Sequence, residues 1–152
     1  VLTEQSLHRV VGIGASAGGL EALQTFFDSM PVPCGMAIVV VQHLSPDFKS
    51  LMDELLLRHT KMRVLLAEND MVVEPDTVYL NPPRKDMIIS RGKLLLSEKD
   101  PRDKLTLPID TFFRSLASDQ GERAVAIILS GTGSDGSRSL QNVVDAGGLV
   151  IV

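Results

Sequence analysis

The sequence predicts an α/β fold: a doubly wound, mostly parallel sheet of the Rossmann-like three-layer kind, with a short antiparallel hairpin. Three observations lead there. Continuous apolar runs at residues 36–41 and 124–129 have the character of strands covered on both faces. Stretches with apolar residues at helical spacing alternate with such runs. Turns of small residues, 14–19 and 130–136, follow apolar runs where a parallel sheet places its ligand-facing loops.

Taken in order, Val10, Val11 and Ile13 read as the first strand. After the turn Gly14-Ala-Ser-Ala-Gly-Gly19, Leu20, Leu23, Phe26, Phe27 and Met30 form a helical apolar face, which Pro31 and Pro33 stop. Residues 36–41 are the second strand, ending at Gln42-His43. Pro46-Asp47 opens a second helix carrying Phe48, Leu51, Met52, Leu55 and Leu56, and residues 63–67 form a third strand. Strand, helix, strand, helix, strand is the pattern of a parallel unit.

The middle of the chain changes character. Residues 77–80, 87–89 and 94–96 are short apolar runs separated by Asn81-Pro82-Pro83 and Arg91-Gly92. They read as a strand followed by a hairpin, an antiparallel insertion or a sheet edge. From Pro108 a helix returns, with Ile109, Phe112, Phe113, Leu116 and Ala117 on one face. Residues 124–129 are a buried-type strand. A second small-residue turn and a helix with Leu140, Val143 and Val144 follow, closed by Gly147-Gly148. Residues 149–152 read as a last strand. Val1 in place of Met, and a strand at the very end, lead to the expectation that residues 1–152 are one domain excised from a longer chain.

Composition narrows the function classes. With 44% hydrophobic and 22% charged residues the chain is globular rather than disordered. A net charge of −4 makes no electrostatic case for nucleic acid or an anionic membrane as partner. The one cysteine, Cys34, has no partner for an internal disulfide, so the expected compartment is a reducing cytoplasm. No apolar run is long enough for a bilayer, and no His/Cys/Asp spacing suggests a metal, so neither membrane insertion nor a metal or cofactor is expected.

Three polar residues stand at expected strand ends: Ser16 after the first strand, His43 after the second, and Asp135 after 124–129. One rim of a parallel sheet would hold all three. Serine, histidine and a carboxylate are the set that acyl transfer needs. The base takes the hydroxyl proton, and the carboxylate fixes the base's tautomer and stabilises the imidazolium. Each residue also has a plainer role. Ser16 suits a helix cap, His43 a solvated strand end, and Asp135 a turn between glycines. The glycines fit two patterns. Gly14-Ala-Ser-Ala-Gly18 matches G-x-S-x-G, the nucleophile elbow. Gly12-Ile-Gly14-Ala-Ser-Ala17 matches a loose dinucleotide fingerprint, which ranks lower because the second strand ends in Gln42-His43 and not in an acid. The order Ser, His, Asp differs from the Ser, Asp, His of the α/β hydrolases.

Ordered motifs span nearly the whole chain: Gly14-Ala-Ser-Ala-Gly-Gly19 with Leu20-Glu-Ala-Leu23, Val41-Gln-His-Leu44, Val78-Tyr-Leu-Asn-Pro82, Leu107-Pro-Ile-Asp110, Ile128-Leu-Ser-Gly-Thr-Gly-Ser-Asp-Gly136 and Asp145-Ala-Gly-Gly148. With these the chain resembles the catalytic domain of CheB-type chemotaxis protein-glutamate methylesterases. The resemblance implies hydrolysis of glutamyl methyl esters on the cytoplasmic helices of methylated chemoreceptors, with deamidation of certain glutamines as a further activity. It makes Ser16 the nucleophile, His43 the general base and acid, and Asp135 the orienting carboxylate. The backbone N–H groups of Ala17 and Thr132 become candidates for the oxyanion hole. It departs from the family's usual residues at Ala17, Thr132 and Asp86, where threonine, methionine and histidine are common. Those variants look more like esterase domains fused to methyltransferase or sensory modules, and because the family's domain continues past Gly148 the resemblance implies that residues 1–152 are a catalytic domain truncated at its C-terminus. The other reading is a docking or regulatory domain that keeps the fold with little turnover.

Overall fold

The computed structural model describes residues 8–15, 20–42, 56–99, 107–129 and 135–152. Its main sheet has six strands in the order β3-β5-β2-β1-β8-β9, and every pairing in it is parallel. The central strands are β1 (Val10–Ala15) and β2 (Ala37–Gln42), buried along their whole length. Flanking them are β5 (Thr77–Leu80) and β8 (Ala124–Ile128). The edges are β3 (Arg63–Leu66) and β9 (Leu149–Ile151).

Side chains alternate across this sheet, as the two-residue strand period requires. Val11, Ile13, Ile38, Val40, Val78, Leu80, Val125 and Ile127 face one core, with Leu23 and Phe27 of α1 (Leu20–Ser29). Val10, Val39, Val41, Tyr79, Ala124 and Ala126 face the other, against α2 (Pro108–Gln120) and Val143 of α3 (Leu140–Asp145). Phe112, Phe113 and Leu116 of α2 are fully buried there, as their helical spacing predicts. The doubly wound expectation is thus met, with helices on both faces. The second expected helix falls mostly outside the described residues; Leu56, at its end, is fully buried.

The middle of the chain refines the sequence reading. Residues 77–80 are not part of an antiparallel insertion: β5 pairs in parallel with both β2 and β3. The hairpin is real, β6 (Lys85–Ser90) with β7 (Lys93–Glu98), joined at Arg91-Gly92. It is completed to a three-stranded antiparallel sheet by β4 (Met71–Val72), a strand too short to leave a sequence signal. Met87, Ile89 and Leu94 of this small sheet join the core on the α2 side. The Asp119 carboxylate of α2 ties the hairpin turn down by accepting the N–H groups of Arg91 and Gly92. No helix among the described residues is long and apolar enough to cross a membrane.

Candidate active site

The ends of three neighbouring strands lie level with one another. In the β1–β2 register Ala15 is the partner of Gln42, and the Leu129 N–H, just past β8, donates to the Gly14 carbonyl at 3.0 Å. Ser16 is the next residue after Ala15, and His43 the next after Gln42. Adjacent strands in a sheet run about 4.8 Å apart. The two chain positions that lead into Ser16 and His43 therefore sit side by side at the carboxyl end of the sheet, where open α/β folds bind ligands. Ser16, Ala17, His43 and Thr132 themselves lie outside the described residues.

Asp135 is described, and it is buried at 3% exposure. Its two oxygens accept the backbone N–H groups of Asp110, at 2.9 Å, and Ile109, at 3.2 Å. These are first-turn amides of α2, which have no partner within the helix. Leu107, in the N-cap position, supplies no side-chain cap, and Pro108 has no N–H to satisfy. Asp135 thus caps α2 from a loop some 25 residues further along the chain. The positive end of the helix dipole favours its negative charge there. A carboxylate offers about four acceptor positions, so capping a helix and orienting an imidazole are compatible.

The loop is held a second time. Asp110 Oδ1 accepts the Ser139 N–H at 3.1 Å and its hydroxyl at 2.6 Å, and the same hydroxyl lies 3.0 Å from the Gly136 carbonyl. Asp110 and Ser139 are each about 1% exposed. Neither has a role legible in the sequence, although Asp110 stands in the Leu107-Pro-Ile-Asp110 motif, since a helix-first-turn aspartate and a serine near a helix start are ordinary at those places.

The glycines before the site have a packing role that the sequence motifs do not express. Gly12 and Gly14 lie within β1, on the face that meets α2. A Cβ at Gly12 would come within 3.0 Å of Leu116, and one at Gly14 within 2.6 Å of Ile109. Ile109 also lies where a Cβ of Gly136 would be, at 2.7 Å. The two strand glycines admit α2, and Ile109 wedges between the end of β1 and the loop that carries Asp135. This explains the G-x-G of the dinucleotide fingerprint without a nucleotide.

On the other side of the rim, Asn81 accepts the Gln42 N–H through Oδ1 and donates through Nδ2 to the Gln42 carbonyl, both at 2.9 Å. Both residues are buried. The sequence marked Asn81 as part of a turn and of the Val78-Tyr-Leu-Asn-Pro82 motif, without a role of its own.

Residues 11–152 match the family model described as CheB methylesterase. The chain belongs to the CheB methylesterase family. A protein-glutamate methylesterase/protein-glutamine glutaminase of Xanthomonas oryzae pv. oryzae is 36% identical over 148 residues, 95% of this chain and 41% of that protein. An uncharacterized 104.1 kDa protein of Rhodobacter capsulatus is 51% identical over 100 residues, 66% of this chain and 10% of that protein. The crystal structure of the Thermotoga maritima CheB methylesterase catalytic domain superposes with a TM-score of 0.80 at 28% identity, covering 95% of this chain and 79% of that one. The chain thus has the CheB catalytic-domain fold, and spans well under half of those two relatives' own lengths.

Proposed function

We propose that residues 1–152 form the catalytic domain of a protein-glutamate methylesterase, a serine hydrolase that removes methyl groups from glutamyl methyl esters of chemoreceptors during adaptation. Ser16 attacks the ester carbonyl while His43 takes its proton. Asp135 holds the imidazole in the productive tautomer and stabilises its charged form. Backbone N–H groups of Ala17 and Thr132 receive the oxyanion. His43 then protonates the departing methanol and activates the water that releases the acyl enzyme. The same steps applied to a glutamine side chain would release ammonia, which is the deamidation that the family resemblance implies. No metal or cofactor is assigned a step, and the place of action is the cytoplasmic helices of the receptor.

The observation that carries this reading is the buried Asp135 carboxylate, bonded to the first turn of α2, whose Ile109 packs against Gly14 of β1; Ser16 follows the end of β1 and His43 the end of β2. The names of the relatives support the substrate class. The 104.1 kDa relative, of which the chain covers only 10%, supports a setting within a larger protein.

The test is methanol release from methylated receptor by the full-length protein, beside its Ser16→Ala and His43→Ala variants. Each substitution is expected to lower kcat by several orders of magnitude. A Ser16→Ala variant within tenfold of the parent would overturn the proposal. A folded parent that binds receptor but releases no methanol, and whose Ser16 resists an acyl phosphonate probe, would identify a docking domain.

A further inference from the structure

We propose that Asn81 is a positioning residue for His43, acting through the main chain of Gln42; the inference rests on His43 being the catalytic base. The β2–β5 ladder runs from Ala37 opposite Thr77 to Val40 opposite Leu80. Its last backbone bond is Asn81 N–H to the Val40 carbonyl, at 3.3 Å. The next amide that would face β2 belongs to Pro83, two residues on, which has no N–H to give. Strand β2 nevertheless continues to Gln42, which on its other side is still paired with β1.

A side-chain carboxamide carries the same donor and acceptor as a peptide group. Asn81 uses both. Its Oδ1 takes the Gln42 N–H and its Nδ2 gives to the Gln42 carbonyl, so one amide replaces the peptide that the proline turn cannot supply. The bonded carbonyl belongs to the peptide unit joining Gln42 to His43. That unit is planar, so fixing its oxygen fixes the end of β2 from which the chain goes on to His43. Gln42 and Asn81 are only 5% and 7% exposed, so water is a poor substitute for either bond. Aspartate cannot replace asparagine in this arrangement, because it keeps the acceptor and loses the donor.

The experiment compares Asn81→Asp and Asn81→Ala in the full-length protein, each also in the His43→Ala background, by methanol release from a glutamyl methyl ester substrate normalised to folded fraction. A misplaced base should lower kcat by about tenfold to a hundredfold. KM is expected to stay within about twofold, because uniform binding is untouched. In the His43→Ala background the same substitutions should cost less than about twofold, since a residue that acts through His43 has nothing left to act on. Equal losses in both backgrounds, or unchanged kcat in folded single variants, would overturn the inference. Should His43→Ala itself keep activity near the parent's, the catalytic reading fails, whatever Asn81 does. If neither Asn81 variant folds, hydrogen exchange of the parent decides: protection of the Gln42 amide like that of Val40 is expected, and exchange at the rate of an exposed amide overturns the inference.

Discussion

Asp110 and Ser139 form a closed buried contact, in which one carboxylate oxygen accepts hydrogen bonds from both the amide and the hydroxyl of the serine, at 3.1 and 2.6 Å. Together with Asp135 this makes a reciprocal arrangement. The loop's carboxylate bonds the amides of the first turn of α2, and a carboxylate of that turn bonds the loop. Each half removes a buried polar group that would otherwise be unpaired.

The two partners of that contact are expected to differ in importance. Asp110→Ala leaves the buried Ser139 N–H without an acceptor, which should cost about 1–3 kcal/mol. Ser139→Ala removes only the hydroxyl and leaves its amide on Asp110, with an expected cost of about 1 kcal/mol. Urea unfolding of both variants measures the order. A larger loss for Ser139→Ala would mean that the hydroxyl, and not the amide, anchors the loop.

Gly14 and Ile109 give a second prediction. A methyl group at Gly14 would meet Ile109 Cγ2 at 2.6 Å, so Gly14→Ala should destabilise the fold by about 1–3 kcal/mol through overpacking. Ile109→Ala alone should cost about 2–5 kcal/mol as a cavity. Combined, the new methyl occupies part of that cavity, and the double variant should be more stable than the sum of the two losses. Additive losses in denaturant titrations would show that the clash lies elsewhere. Gly136→Ala has no such rescue, because its φ of +92° strains an alanine even without Ile109.

The contrast shows what the sequence could and could not express. Strand ends were legible, because apolar runs stop where the sheet stops; that placed Ser16, His43 and Asp135 after three neighbouring strands. The reason for Gly12 and Gly14 was not legible. It depends on α2, which lies some hundred residues away along the chain, and local motifs offered a phosphate loop or a nucleophile elbow instead. The Asn81 pair with Gln42 spans 39 residues and uses a side chain as if it were backbone, so no periodicity announces it. Strand β4 has two residues and exists only because β7 is there to pair with it.

Asp135 is both cap and proposed catalyst, and the two roles predict separable losses. As a cap, its replacement by alanine should cost about 1 kcal/mol of stability, through the amides of Ile109 and Asp110. As the residue that orients His43, its loss should lower kcat by about 10²–10⁴-fold beyond any loss of folded protein. Urea midpoints and methanol release measured on the same samples separate the two. Activity that falls only in proportion to the folded fraction would leave Asp135 a cap and nothing more.

Asp76 predicts how stability responds to acid. One of its oxygens accepts the N–H groups of Cys34, at 2.6 Å, and Gly35, at 3.0 Å, joining the start of β5 to the approach to β2. The bond from Gly35, then that from Cys34, holds its carboxyl below the usual aspartate range, against a smaller opposing effect of burial. A carboxyl depressed in the folded state releases its proton more readily there than in the unfolded chain. Its stabilising contribution is therefore complete well above about pH 4, and it is lost as pH falls through the folded-state value. Asparagine fits the φ of +56° that Asp76 adopts and keeps an acceptor, but it does not titrate. Asp76→Asn should therefore lower stability at neutral pH and flatten the stability profile below about pH 4. An unchanged acid slope in the variant would assign the loss of stability there to other carboxylates.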